Sequence, residues 1–140
     1  MASKAQMTGM RGVFLVAAEL SRLGFIASPT SRSAIGADLL ITDQTCKRTF
    51  SVQVKTNASN RSWWLVGEKA CDLVAATHIY VLVNIRPGKE MDGYDYYVVP
   101  SRIVAKYTKR FDRANSIFFG VSRADLAAYH NKWSVFGTAV

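Results

Sequence analysis

One run of nine residues constrains the fold more than any other. Residues 77–85, THIYVLVNI, are almost continuously apolar and rich in β-branched side chains. A strand with one wet face alternates apolar and polar residues. A strand without that alternation is buried on both faces, as at the centre of an α/β sheet. Material must therefore lie on each side of the sheet to which this strand belongs. His78 stands at its start with no nucleophile or metal partner nearby in sequence, and is read as structural. With 140 residues, 49% of them hydrophobic, the chain is long enough to bury such a core and too apolar for disorder.

The stretch that organises the rest is residues 36–56, GADLLITDQTCKRTFSVQVKT. Residues 36–42 are apolar and β-branched apart from Asp38, and residues 43–48 are polar and read as a turn. Residues 49–56 alternate with period two, so Phe50, Val52 and Val54 face one side and Ser51, Gln53 and Lys55 the other. Pairing the two runs as a hairpin brings Asp38 near Gln53 and Lys55. A carboxylate, an amide oxygen and an ammonium then share adjacent strands, where a hard cation can bind and a phosphate can be worked upon.

Around these strands the chain reads as follows. Residues 1–9 are a polar, loose end. Residues 10–23 repeat apolar residues every three or four positions, an amphipathic helix stopped by Gly24. Glu19 sits beside its apolar stripe, at the edge of the buried face. Residues 25–28 form a short strand ended by Pro29. Residues 30–34 and 57–62 are polar loops carrying Arg32 and Arg61. Residues 63–66, WWLV, form a strand whose adjacent tryptophans point to opposite sides. One anchors the core; the other covers an edge or offers a stacking surface for a base. Residues 68–75 make one or two helical turns. Residues 94–99 are a strand closed by Pro100. Ser101 N-caps a helix to about Arg110, with Lys106, Lys109 and Arg110 in its last turn. Residues 117–121 are a strand, Ser122 and Asp125 form a capping-box-like pair opening a last helix, and Trp133, Val135 and Phe136 pack the tail back. This order describes a small α/β domain with a central mixed sheet flanked by helices.

A formal net charge of +8 favours polyanionic partners, nucleic acid first. No apolar run approaches the ~20 residues that span a bilayer, and the N-terminus lacks the apolar core of a signal peptide. Cys46 and Cys71 have no cysteine or histidine partners at metal-site spacing, so they are read as free thiols in a reducing cytoplasm.

A helix bearing Glu19, then GADLLI with Asp38, then FSVQVKT with Gln53 and Lys55, resembles the PD-(D/E)XK, or restriction-endonuclease-like, nuclease superfamily. Within it the first half is most similar to archaeal Holliday-junction resolvases. The motif-bearing similarity covers residues 10–57. Two positions depart from the pattern: Ala37 replaces the proline before the aspartate, and Gln53 replaces the usual acidic residue of the (D/E)xK strand. The second change removes a negative charge and weakens divalent-ion binding.

The resemblance implies a single restriction-endonuclease-like domain over residues 1–140, acting as a Mg²⁺ (or Mn²⁺)-dependent DNA endonuclease, structure-selective and homodimeric. Asp38 would be the central metal ligand, joined by the Gln53 side-chain oxygen and the Val54 carbonyl. Glu19 would hold a water or second ion. Lys55 would orient or deprotonate the attacking water. Arg32, Arg61, Lys106, Lys109 and Arg110 would then contact the DNA backbone without reading sequence. Two other readings compete. One is a non-catalytic nucleic-acid-binding module whose centre has decayed at Gln53. The other is a protein-interaction domain, immunity- or antitoxin-like, that presents Trp63, Trp64 and residues 94–97.

Overall fold

The chain does not begin as a loose end. Ser3 Oγ accepts from the Gln6 backbone N–H at 3.2 Å, and the Gln6 side-chain oxygen accepts from the Ser3 N–H at 2.8 Å. This reciprocal pair satisfies two donors that a helix start otherwise leaves unpaired. Helix α1 therefore runs Lys4–Arg22 and takes in most of the segment expected to be irregular. Gly24, at φ 94°, ends it. The computed structural model describes residues 1–31 and 36–140.

After α1 come β1 (Ile26–Pro29), β2 (Leu39–Thr42), β3 (Thr49–Asn57), β4 (Trp63–Val66), β5 (His78–Arg86) and β6 (Gly93–Pro100). Five of these form one sheet in the order β1-β2-β3-β5-β6. Only β3 and β5 run parallel, so the sheet is mixed. In β5, every residue from His78 to Ile85 is buried, as its lack of alternation requires. Ile79, Val81, Val83 and Ile85 pack with Val52, Val54 and the Val16–Leu20 stripe of α1. Tyr80 and Leu82 pack on the other side against Trp64, Val66 and Val121.

The cover on that second side is another sheet, not a helix alone. Helix α2 (Ser101–Tyr107) stops well short of Arg110, and β7 (Lys109–Arg113) turns through Ala114 and Asn115 into β8 (Ser116–Ser122). With β4 they form an antiparallel sheet, order β4-β8-β7. The expectation of one helix from Ser101 to Arg110 is thus corrected. Thr108 is extended and returns its Oγ1 to the Val104 carbonyl at 2.6 Å, and the next residues pair with β8. Ser101 does not cap either. Its hydroxyl donates to the Ala75 carbonyl at 2.9 Å and accepts from the Ala75 N–H at 3.1 Å. Nor is there a Ser122–Asp125 capping box: Ser122 Oγ accepts from the Ala124 N–H, and residues Ala124–Tyr129 form a 3₁₀ helix.

The tail docks as its aromatic residues suggest. Phe136 is buried between Phe25 and Phe50, edge-on to the latter at 5.3 Å. Arg48 ties this tail to the β2–β3 turn, donating to the Phe136 and Thr138 carbonyls and to Asp43. Burial works to raise the Asp43 pKa, but hydrogen bonds from Thr45, the Lys47 N–H and Arg48 prevail and hold it at about 2. Among the described residues, no helix is long and apolar enough to cross a membrane.

Candidate active site at the open edge of the hairpin

Strand β2 starts only at Leu39, opposite Val52, so β3 runs on past it with one edge open. Asp38 stands at that edge. Its backbone N–H donates to the Val52 carbonyl at 2.8 Å, which places it across from Gln53. Its Oδ2 accepts from Gln53 Nε2 at 3.0 Å and from the Val54 N–H at 2.8 Å. The carboxylate thus takes the place of the missing strand for Val54. In a strand, the N–H and C=O of one residue point to the same edge, so the Val54 carbonyl opens beside Asp38. Thr30 braces the approach from β1: its N–H donates to the Asp38 carbonyl at 2.9 Å and its hydroxyl to the Ala37 carbonyl at 2.6 Å.

Asp38, Gln53, Val54 and Lys55 line one cleft of about 580 Å³, closed by Thr30 and the N-terminal half of α1. Lys55 is two residues from Gln53 and on the same strand face. Among the described residues it forms no ion pair. The helix comes this close because of Gly12, where an added Cβ would overlap Thr56 Oγ1. That hydroxyl is buried without a hydrogen-bond partner among the described residues, a cost accepted where helix and strand meet.

Glu19 does not join this cluster, which corrects the expectation drawn from sequence. Its carboxylate pairs with Arg22 at 2.9 Å. Its charge acts on Tyr96 of β6, whose pKa rises to about 12 chiefly through burial and secondarily through Glu19. At about 100° per residue, Gln6, Met10 and Val13 fall on one side of the line through Val16 and Leu20, and Glu19 falls on the other. Strand β6 also lies two strands beyond β3, roughly 10 Å across the sheet. Of the α1 residues that line the cleft, Ala5, Gln6, Gly9, Met10, Val13 and Phe14, Gln6 carries a polar side chain, and it is engaged in the cap of α1. The S-x-x-Q pattern and Gly12 were the signals, both readable, that α1 starts early and presses on β3.

The donor set fits a hard divalent cation, because every available group is an oxygen. It is sparse in charge. Asp38 supplies one negative charge, the Val54 carbonyl none, and the Gln53 amide turns its NH₂ toward Asp38, so its oxygen reaches a cation only after a half-turn. Among the described residues, no group of three or more His, Cys, Asp or Glu is placed to hold a metal ion.

Among the described residues, the basic side chains expected along a DNA track, Arg61, Lys106, Lys109 and Arg110, do not line this cleft. Arg61 sits in the loop after β3, which buried Asn84 fixes by donating to the Arg61 carbonyl at 2.7 Å and to Asn60 Oδ1. Lys106 lies over Tyr107. Lys109 and Arg110 stand on β7, next to Asp125 at 3.7 Å and Asp112 at 2.9 Å respectively. Arg32 falls outside the described residues. His78 is buried, with Nδ1 2.7 Å from Ser51 Oγ, and burial lowers its pKa; it packs edge-on against Tyr80 within the core.

The fold as a whole is similar to that of a Holliday junction resolvase, Hjc, from the archaeal hyperthermophile Archaeoglobus fulgidus. The TM-score is 0.57 at 14% sequence identity, over 93% of this chain and 96% of that one. The likeness establishes the restriction-endonuclease-like arrangement, a central mixed sheet with flanking helices. No family model matches the chain, and no curated protein sequence does.

Proposed function

We propose that this protein is a metal-dependent endonuclease that hydrolyses DNA phosphodiester bonds, and that residues 1–140 form a single nuclease domain. The observation that carries this reading is the fixed Asp38 carboxylate, held by Gln53 and the Val54 N–H in one cleft with Lys55. The fold similarity to a resolvase supports it.

Asp38, the Gln53 amide oxygen and the Val54 carbonyl are the groups that would hold Mg²⁺ (or Mn²⁺). Bound there, the ion would neutralise charge developing on the phosphate and lower the pKa of a bound water. The protein's own groups do the rest. The Val54 N–H holds the Asp38 carboxylate in place before substrate arrives, whereas the Gln53 amide would give up its bond to Asp38 and turn its oxygen inward to serve as a ligand. Lys55 reaches into the same cleft, orients the attacking water and offsets phosphate charge. Arg61, Lys106, Lys109 and Arg110 contribute diffuse attraction for the DNA backbone rather than a track beside the reacting phosphate. Branched DNA as the substrate, a homodimer as the working form and the cytoplasm as its place complete the reading. Cys46 and Cys71, exposed and unpaired, suit that compartment.

A second reading is a DNA-binding module without catalysis, favoured by the single charge of the donor set. One assay separates the two: cleavage of plasmid, linear duplex and four-way junction with Mg²⁺ or Mn²⁺. A nuclease cuts at least one substrate, and Asp38→Ala and Lys55→Ala abolish cutting while most DNA affinity remains. A binding module cuts none with either ion.

A further inference from the structure

The outer face of the small sheet is unpartnered and has an unusual composition. Its register places Trp63 and Leu65 of β4, Phe118 and Gly120 of β8, and Lys109, Phe111 and Arg113 of β7 on one side. Their neighbours Trp64, Val66 and Val121 point inward and are buried. Leu65 is 62% and Phe118 40% exposed. Gly120 leaves a gap at the centre, and the Trp63 and Phe111 rings lean over it, edge to face at 5.2 Å. Apart from Lys109, these residues line a shallow depression of about 420 Å³. A continuous apolar surface on a face that nothing covers marks a binding site rather than scattered exposure.

The surrounding charge selects the partner. Arg61 and Arg123 stand at the Trp63 end, Lys109 lies 5.7 Å from the Trp63 ring centroid, and Arg113 lines the depression beside Phe111, whereas Arg110 alternates to the opposite face of β7. The carboxylate facing them is Asp125, 3.7 Å from Lys109; Asp112 pairs with Arg110 at 2.9 Å on the opposite face of β7. Arg113 forms no ion pair among the described residues. A basic peptide or a second copy of this basic chain would meet net repulsion here, and a neutral peptide would leave the cations unmatched. A polyanion with flat apolar faces would not.

We propose that this face binds single-stranded nucleic acid, its unpaired bases stacking on Trp63, Phe111 and Phe118 while the surrounding cations meet the phosphates. Aromatic stacking is sequence-tolerant because every base has a π face, and it discriminates against duplex, whose bases are already stacked. The assignment does not depend on the Asp38 cleft being hydrolytic.

The test is fluorescence polarisation with a labelled oligothymidine of about twelve nucleotides, with chelator present, on the full chain. The oligothymidine binds and quenches tryptophan emission. Phe118→Ala, at an exposed position, and Trp63→Phe keep the fold. Phe118→Ala weakens oligothymidine binding by at least about fivefold, the lower end for one lost base stack, and leaves duplex affinity unchanged. Trp63→Phe abolishes most of the quenching. Equal oligothymidine affinity in Phe118→Ala, or no binding at low salt, overturns the proposal. So does a wild-type dimer that Phe118→Ala converts to monomer without altering oligothymidine affinity, since the face would then cover a second copy. Plasmid cleavage is scored separately: intact oligothymidine binding with no cleavage sinks the nuclease reading and leaves this one standing.

Discussion

The cleft at the β2–β3 edge and the outer face of the small sheet are built on opposite plans. In the cleft the polar groups are few and held by backbone: Asp38 receives the Val54 N–H, and Thr30 braces it from β1. On the small sheet the polar groups are numerous, long and solvated, spread around a set of aromatic rings. A protein of net charge +8 thus keeps much of its basic character away from the place where its chemistry would occur. Rigid placement serves a reaction, in which small misplacements are costly. Mobile cations around an apolar surface serve attraction and retention.

This contrast can be strained from several sides. The strongest lever is Gly12. Replacing it with valine forces a side chain into Thr56, so α1 must lift from β3. Overpacking of this kind costs about 1–3 kcal/mol or more, read as a lower urea midpoint. The cleft should suffer and the small sheet, on the other face, should not. A variant that keeps wild-type stability would show that the close approach is not what shapes the cleft. Next is Gln53→Glu, which adds the second negative charge. It should tighten divalent-ion binding by about tenfold and leave oligothymidine affinity at the small sheet unaltered.

Weaker effects concern the frame around the cleft. The folded Asp43 pKa, about 2, lies below its ordinary value near 4. A depressed carboxyl gives stability that is present above the unfolded pKa and lost as pH falls through the folded one. Acid titration from pH ~4 to ~2 should therefore loosen the junction of turn and tail, and Asp43→Asn should flatten that part of the profile. Smallest of all is Glu19→Gln. Because Glu19 faces Tyr96 and not the cleft, cleavage should stay within about twofold while the Tyr96 phenol titrates lower. A large loss of activity would return Glu19 to the site.

The limits of sequence reading follow the same physics. The double-sided burial of β5 was legible because the absence of alternation is a local property. The meeting of Asp38 and Gln53 was legible because a hairpin fixes register between neighbouring strands. The placement of Glu19 was not, since periodicity gives the buried stripe of a helix but not which end of it lies over which strand. Strand β7 was hidden for a similar reason. Ile103, Val104 and Tyr107 set a helical rhythm, and the cations after them suit a helix end as well as an edge strand. Only pairing with β8 decides between the two. The capping box at Ser3 needed no tertiary context; its glutamine is a weaker signal than the usual glutamate.

The central claim is that Asp38, Gln53 and Val54 form one divalent-cation site, and Mn²⁺ binding to the DNA-free protein tests it most directly. Titration followed by electron paramagnetic resonance should give one bound ion per chain, lost in Asp38→Asn, which keeps an oxygen for the Val54 N–H and hence the fold. Equal Mn²⁺ binding by wild type and Asp38→Asn, or no binding by either, would contradict it.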